Sequence, residues 1–292
     1  MNEMLNQLVR KASAAVESDV IPSDPLASWV GKVQVALPNE SWPVYLEVPM
    51  KPFGQFNLSE MPYKPVSLAN ICMITVYADL HGASNLMANG GNFVLRTYQN
   101  LNDLISIEEP SDYGRDYRRY LEPDQLIPIG GGYTKIRSFR GKESLPSSIL
   151  KRYPLKWMLI DDYPSFVEAQ CLSVKNDDWE DYLWDEYEEE ASELNHETLK
   201  FGGWASLVRK AFADYIHGPA RHEAYGLPAN RYQWLWDMFE SNPAYLARPE
   251  YVFQLSGGAV LGWGNGADLF FGRGTGQHKN EWYADHQDFT AL

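Results

Sequence analysis

Short apolar runs, separated by Pro, Asn and Gly residues, are the feature that most constrains the fold of this chain. Runs of this length that end in turn-forming residues are typical of β-strands. The tail of the chain returns to the same pattern after a stretch with more helical character. The predicted strands cover residues 33–37, 44–48, 53–58, 71–78 and 92–98, and then 155–160, 166–174, 251–255, 260–263 and 268–271.

Helical spacing of apolar residues indicates three further elements. Residues 1–18 place apolar side chains, among them Leu8, Ala12 and Val16, on one side of a short amphipathic helix. Residues 203–217 and 229–240 show the same spacing, and each stretch ends at a turn signal that contains Pro. Strands followed by helices and again by strands predict an α+β fold with mainly antiparallel sheets and peripheral helices.

A long-range similarity within the chain predicts an internal duplication. Gln55 and Gln254 each lie inside an apolar strand, and in both cases another apolar strand-like run follows. The chain is therefore divided into an N-terminal helix at 1–20, a first sheet unit at 21–150 and a second sheet unit with an acidic helix at 151–292, all within one body.

Composition excludes several classes of protein. Hydrophobic residues make up 45% and aromatic residues 14% of the 292 residues, which is enough for a substantial core. A net charge of −14 argues against direct nucleic-acid binding, which needs a basic surface. Cys72 and Cys171 lie far apart and predict neither a disulfide framework nor a zinc site. Without a membrane span or a signal peptide pattern, we expect a cytoplasmic protein.

Most of the net negative charge lies in residues 177–197, DDWEDYLWDEYEEEASELNHE. This acidic segment holds 11 of the 39 acidic residues and no Lys or Arg, so that the rest of the chain has 28 acidic and 25 basic residues. Its aromatic and aliphatic residues, Tyr187 among them, fall on one stripe of a predicted helix. Asp177 with Glu180 fits a capping box at the start of that helix.

Two interpretations of the acidic segment stay open. It is either a solvated amphipathic helix that provides solubility or a docking surface for a basic protein. In the second case aromatic residues serve as interface anchors among carboxylates that mimic a polyanion. The residues predicted to bind the partner are Asp181, Trp184, Asp185, Tyr187, Glu188 and Glu189. Partner specificity could equally lie in residues 113–120, where Arg115, Arg118 and Arg119 offer the opposite charge.

Several short motifs are spread over almost the whole chain: Trp42-Pro43 with Pro49-Met50, FGQFNLSE at 53–60, FGGWASLVR at 201–209, FQLSG at 253–257 and GWGN at 262–265. In this order they resemble the YwqG-like family, a bacterial domain of unknown function. Ala205, Arg209 and Asn265 depart from the family pattern.

The resemblance implies an α+β fold with an internal duplication and no established enzymatic activity. Some family members act as immunity proteins, which protect the producer of a type VI-secreted antibacterial toxin. We therefore expect an immunity protein that neutralises a cognate toxin, in particular a DNase effector, by protein–protein binding. Inhibition could occur by plugging the toxin's substrate cleft or by distorting its active site.

The sequence offers little for catalysis or for a cofactor. GWGNGA at 262–267 precedes a strand-like run rather than the helix that a dinucleotide site requires. HExxH and GxSxG are absent, so we expect no catalytic residue, no metal and no cofactor. The alternative is an enzyme or small-ligand protein with a cleft between the sheet units, lined by Gln55 and Gln254 or by His278, Asp285 and His286. A third possibility is a housekeeping binding module that has no toxin partner.

Overall fold

The computed structural model of the chain describes residues 8–78, 86–111, 126–129, 132–135, 152–165, 187, 199–206, 247, 249–255 and 268–287. Strands dominate this part, and three-residue 3-10 turns lie at Val66–Leu68, Leu101–Asp103 and Gly276–His278. The strands are β1 (Arg10–Glu17), β2 (Trp29–Val30), β3 (Val35–Ala36), β4 (Val44–Tyr45), β5 (Val48–Pro49), β6 (Lys51–Asn57), β7 (Met73–Ala78), β8 (Leu86–Ala88), β9 (Phe93–Tyr98), β10 (Ile105–Ser106), β11 (Leu126–Ile129), β12 (Gly132–Lys135), β13 (Tyr153–Asp162), β14 (Lys200–Gly202), β15 (Glu250–Leu255), β16 (Asp268–Arg273) and β17 (Trp282–Gln287).

Eleven of these strands form one antiparallel sheet. Their order is β8-β17-β16-β15-β14-β1-β13-β2-β6-β7-β9, with β1 and β13 near the centre. Strands from both halves of the chain therefore pair in a single sheet, because β13 pairs with β2 and β17 pairs with β8. The remaining strands form three small antiparallel pairs, β3 with β10, β4 with β5 and β11 with β12.

The large sheet curls into a nearly closed barrel. Its two outermost strands, β8 and β9, follow each other in the chain and are joined by a tight turn. Across this seam, the side-chain amide of Asn89 donates to the Leu95 carbonyl at 2.9 Å and accepts from the Leu95 N–H at 2.8 Å. A single side chain thus takes the hydrogen-bonding place of a neighbouring strand at the edge of β9.

Aromatic rings fill the inside of the barrel. Phe253 stacks on Phe201 and on Phe271, with both pairs of ring centroids 4.4 Å apart. Phe253 also makes edge-on contacts with Phe56 and Trp282. In the same way Phe201 contacts Trp157, and Phe271 contacts Phe93. Successive side chains of a strand point to opposite faces of the sheet, and residues opposite each other on neighbouring strands share a face. Phe201 and Phe253 face the inside of the barrel, so the preceding Lys200 and the following Gln254 face its outside.

The prediction of an α+β fold with peripheral helices is wrong, because the described part of the chain is nearly all sheet. The N-terminal helix is also wrong, since residues 10–17 form β1 and pair with β13 on one side and β14 on the other. Tertiary pairing here overrides the helix propensity of an Ala-rich segment. Of the helix predicted at 203–217, only residues 203–206 are described, and they are not helical. The helix predicted at 229–240 lies outside the described residues.

Most predicted strands are confirmed where the structure describes them. Residues 53–58, 71–78 and 92–98 correspond to β6, β7 and β9, and 33–37 contain the short β3. The single strand predicted at 44–48 is wrong, because the chain turns at Leu46 and Glu47 and forms the β4–β5 hairpin. In the second half, 155–160, 251–255 and 268–271 correspond to β13, β15 and β16. The runs at 166–174 and 260–263 lie outside the described residues.

Candidate functional site

The structure describes one of the six residues predicted to bind a partner. Tyr187 is fully buried, and its hydroxyl donates to the carbonyl of Pro164 at 2.5 Å. Its ring is therefore not an exposed docking anchor, and that part of the prediction is corrected. Asp181, Trp184, Asp185, Glu188 and Glu189 lie outside the described residues, as do Arg115, Arg118 and Arg119.

Tyr187 packs against the barrel just beyond the end of β13. Pro164, its hydrogen-bond partner, follows β13 by two residues. Burial of the ring agrees with the apolar stripe that the sequence placed against the body of the protein. Tyr187 is the single aromatic residue of DEYEEE at 185–190, the most densely acidic part of the sequence.

A buried ion pair lies close by in the chain, at the last residue of β13 and the first of β14. The Lys200 ammonium is 2.9 Å from both carboxylate oxygens of Asp162, and both side chains are fully buried. Asp162 also accepts from the Trp204 backbone N–H at 2.7 Å. Gly203 makes this approach possible, because a Cβ at that position would lie 2.2 Å from Asp162 Oδ2.

Residues at the start of the described part of the chain contact the same corner. The Trp204 indole donates to the Leu8 carbonyl at 2.7 Å, and the Arg10 guanidinium lies 3.3 Å from the Trp204 ring centroid. Buried charges that are paired and hydrogen-bonded serve to fix one arrangement of the chain. We therefore assign the Asp162–Lys200 pair a structural role in holding this corner of the barrel.

Gln55 and Gln254 occupy corresponding places on the outside of the barrel. Gln55 on β6 is opposite Trp29 on β2, and Gln254 on β15 is opposite Lys200 on β14. A β-bulge precedes each glutamine on its strand, between Pro52 and Gly54 in β6 and between Tyr251 and Phe253 in β15.

Both glutamines hold backbone in place rather than line an open cleft. The side-chain oxygen of Gln55 accepts from the Gln34 N–H, and that of Gln254 accepts from the Ser206 N–H, each at 2.9 Å. The amide of Gln55 also donates to the carbonyls of Pro25 and Ala27. Both side chains are fully buried, so these two glutamines do not line an open cleft as the ligand-binding alternative expected.

The structure does not bring the predicted His/Asp cluster together as a metal site. His278 lies in a 3-10 turn and contacts Glu281, whereas Asp285 is buried in β17 opposite Phe270. His286 follows in β17, and its side chain is outside the described part. Among the described residues, no group of three or more His, Cys, Asp or Glu side chains could hold a metal ion.

Sequence analysis missed a surface cluster around Glu281. Its carboxylate accepts from the Tyr283 hydroxyl and lies 3.0 Å from His278 Nδ1, and these hydrogen bonds, first that of Tyr283, lower the pKa of Glu281. Burial and the neighbouring Glu281 raise the pKa of Tyr283. A pocket of about 280 Å³ opens beside them, lined by Ala88, Asn89, Asn280, Glu281, Trp282 and Tyr283. The spacing His-x-x-Glu-x-Tyr is the only sequence signal for this cluster, and it is weak.

Comparison with protein-family models and with curated proteins found no match. The resemblance to the YwqG-like family therefore stays a prediction. Within the described part of the chain, no helix is long and apolar enough to cross a membrane. Cys72 is half-buried, with its thiol 3.0 Å from the Gln99 carbonyl, and Cys171 lies outside the described residues.

Proposed function

We propose that this protein is a cytoplasmic immunity protein of the YwqG-like family, which binds and neutralises a cognate type VI-secreted toxin. It acts by binding rather than by catalysis and needs no cofactor. The toxin is a basic nuclease, in particular a DNase, whose substrate cleft attracts phosphate groups. The carboxylates of the acidic segment occupy that cleft in place of the nucleic acid.

The observation that carries this proposal is the concentration of charge in one attached segment. Residues 177–197 contain 11 acidic residues and no basic one, so they present one sign of charge to a partner. Charge complementarity speeds encounter with a cationic protein and makes the association sensitive to salt. The buried Tyr187 supports this proposal because an attached segment loses less conformational entropy on binding than a free one.

The packed barrel supports the same proposal. Its interior is filled by aromatic residues, with Phe201, Phe253 and Phe271 in one continuous stack. A rigid scaffold of this kind presents a binding surface without reorganisation, which favours high affinity. Binding, rather than chemistry on a small molecule, is the activity that such a filled interior supports best.

The test uses the purified protein and a catalytically inactive form of the toxin encoded beside its gene. Replacing Asp185, Glu188 and Glu189 together with Lys should weaken binding at least about a hundredfold, because each reversal turns an attraction into a repulsion. Isothermal titration calorimetry at several salt concentrations measures the affinity. The wild-type complex should weaken as salt rises, and the triple variant should lose most of that salt dependence.

The matched control carries the same change of charge elsewhere. Glu17, Asp19 and Glu108 are exposed and lie outside the acidic segment, so replacing them with Lys should leave affinity within about threefold. Equal losses in the two triple variants would show that only net charge matters, and full affinity in the first variant would refute a role for the acidic segment. A wild-type protein that does not bind the toxin would refute the proposed function.

A further inference from the structure

The hairpin of β4 and β5 carries a two-residue turn whose sequence does not suit its backbone. Val44 pairs with Pro49 and Tyr45 with Val48, which leaves Leu46 and Glu47 as the turn. Their φ angles are 47° and 66°, and they are the only positive φ values at residues other than Gly in the described part of the chain. Two-residue hairpin turns of this hand strongly prefer Asn-Gly or Gly-Gly, because a Cβ is crowded in the left-handed region.

The turn also exposes apolar side chains that folding alone would not place there. Leu46 is 59% exposed and Val44 is 56% exposed. At these exposed positions the two side chains are not stabilised by burial in the protein's own core. Strained backbone that persists in a folded protein is concentrated at functional positions. Strain and exposure therefore coincide at the same residue, Leu46.

The base of the hairpin is firmly held against the barrel. The Trp42 indole donates to the Met50 carbonyl at 2.8 Å, and the Met50 N–H donates to the Pro43 carbonyl at 2.9 Å. Met50 is buried, and the Trp42 ring packs edge-on against Tyr77 on β7 with centroids 5.0 Å apart. The tip is thus a rigid projection, and we call the hairpin Val44–Pro49 the finger.

Charge indicates what kind of surface the finger fits. Residues 33–50 contain two carboxylates and no Lys or Arg. Glu40 is used internally, because it accepts from the Tyr98 hydroxyl at 2.8 Å and from the Leu37 N–H at 3.0 Å. Glu47 is exposed beside Leu46, so the tip combines one apolar knob with one outward negative charge. A complementary surface has an apolar pocket with a cationic rim.

We propose that the finger inserts Leu46 into an apolar pocket on the basic toxin, with Glu47 facing a Lys or Arg at the pocket's rim. This contact rests on the proposed function and adds a second, apolar point of attachment to the charged one made by the acidic segment. A few side chains that are buried in well-packed pockets of the partner contribute most of the affinity of many interfaces. The finger contact should therefore depend little on salt.

The test replaces the turn with the residues that its backbone prefers. The double variant Leu46→Asn with Glu47→Gly should raise Tm by about 2–6 °C, because Asn and Gly adopt positive φ with less strain. The same variant should raise the Kd for the inactive toxin at least about tenfold, since the apolar knob and its charge are gone. Circular dichroism gives Tm, and isothermal titration calorimetry gives Kd.

The control removes an exposed apolar side chain elsewhere. Val66 is 89% exposed on the Val66–Leu68 turn, and Val66→Ser should leave Kd unchanged. An unchanged Kd in the finger variant, with normal binding by the wild type, overturns the finger proposal and leaves the proposed function standing. A lowered Tm overturns the argument from strain, and a wild type that does not bind the toxin overturns both proposals.

Discussion

Gly203 is the residue on which the buried corner of the barrel depends most directly. Its φ is +67°, and an added Cβ would lie 2.2 Å from Asp162 Oδ2, inside the ion pair with Lys200. Gly203→Ala should therefore cost about 3–5 kcal/mol of the free energy of unfolding, because it adds backbone strain and separates a buried charge pair. Urea denaturation measures this loss.

Gly276 provides the matched control for that substitution. It also has a positive φ, +57°, but no atom lies within 4 Å of the position of its added Cβ. Gly276→Ala should cost about 1 kcal/mol, from backbone strain alone. Similar losses in the two variants would mean that the Asp162–Lys200 pair adjusts to the methyl group, which would contradict its role in fixing the corner.

Tyr187 illustrates what residue-level reasoning could and could not predict about the site. Its place on an apolar stripe indicated that it packs against the body, and the structure buries it. The same residue was also expected to anchor a partner, because spacing along a helix does not say what covers the stripe. Only the hydrogen bond to Pro164, a residue 23 positions away in sequence, separates these two roles.

At the level of elements, the side chain of Asn89 binds the edge of β9 at the seam of the barrel. Asn89 pairs with both the N–H and the carbonyl of Leu95, a residue that is 3% exposed. Asn89→Ala should lower the free energy of unfolding by about 1–3 kcal/mol, because it leaves two buried backbone groups unsatisfied. Hydrogen exchange at the Leu95 amide should accelerate more than exchange in the central strands.

Substitution at the exposed Asn102, in the Leu101–Asp103 turn, is the corresponding control. Asn102→Ala should leave both stability and exchange at Leu95 nearly unchanged. Normal protection of the Leu95 amide in Asn89→Ala would show that β8 and β9 are held together without this side chain, and the seam would then owe its closure to other contacts.

Prediction of the elements succeeded where the local pattern was sufficient. The apolar runs of β6, β7 and β9 lie between turn residues, and these strands pair with near neighbours in sequence. Prediction failed for β1, whose partners β13 and β14 lie far away along the chain. Residues 12–15 of β1 are all buried, so the strand lacks the alternation that marks a half-exposed strand.

At the level of the whole molecule, one sheet brings distant parts of the chain to its surface in fixed positions. The finger projects from the loop before β6, and Tyr187 of the acidic segment is held just beyond β13. The acidic segment could be found from charge alone, because it interrupts an otherwise nearly balanced composition. The finger could not be found from the sequence, because Leu-Glu is an ordinary dipeptide. Its strain lies in the positive φ angles of Leu46 and Glu47, which only the backbone shows.

Burial of tyrosines across the barrel predicts how the whole molecule responds to alkali. Burial raises the pKa of Tyr98 to about 12, with the neighbouring Glu40 acting in the same direction, and burial also raises the pKa values of Tyr77 and Tyr153. Because these pKa values are raised in the folded state, the tyrosine hydroxyls lose their protons at a lower pH in the unfolded state than in the folded state. Stability should therefore be unaffected by these groups below pH about 9 and should fall from pH about 10 to 12.

For Tyr98 alone the loss by pH 12 should be about 2 kcal/mol, since each pKa unit corresponds to about 1.4 kcal/mol. Urea denaturation at successive pH values, followed together with tyrosinate absorbance, measures it. Tyr98→Phe should be less stable than the wild type at pH 7, because it loses the hydrogen bond to Glu40, but its stability should fall less steeply above pH 10. Equal slopes for the two proteins would mean that Tyr98 ionises in the folded state as readily as in the unfolded one, and that its ring is not sealed from water by the loop that carries Glu40.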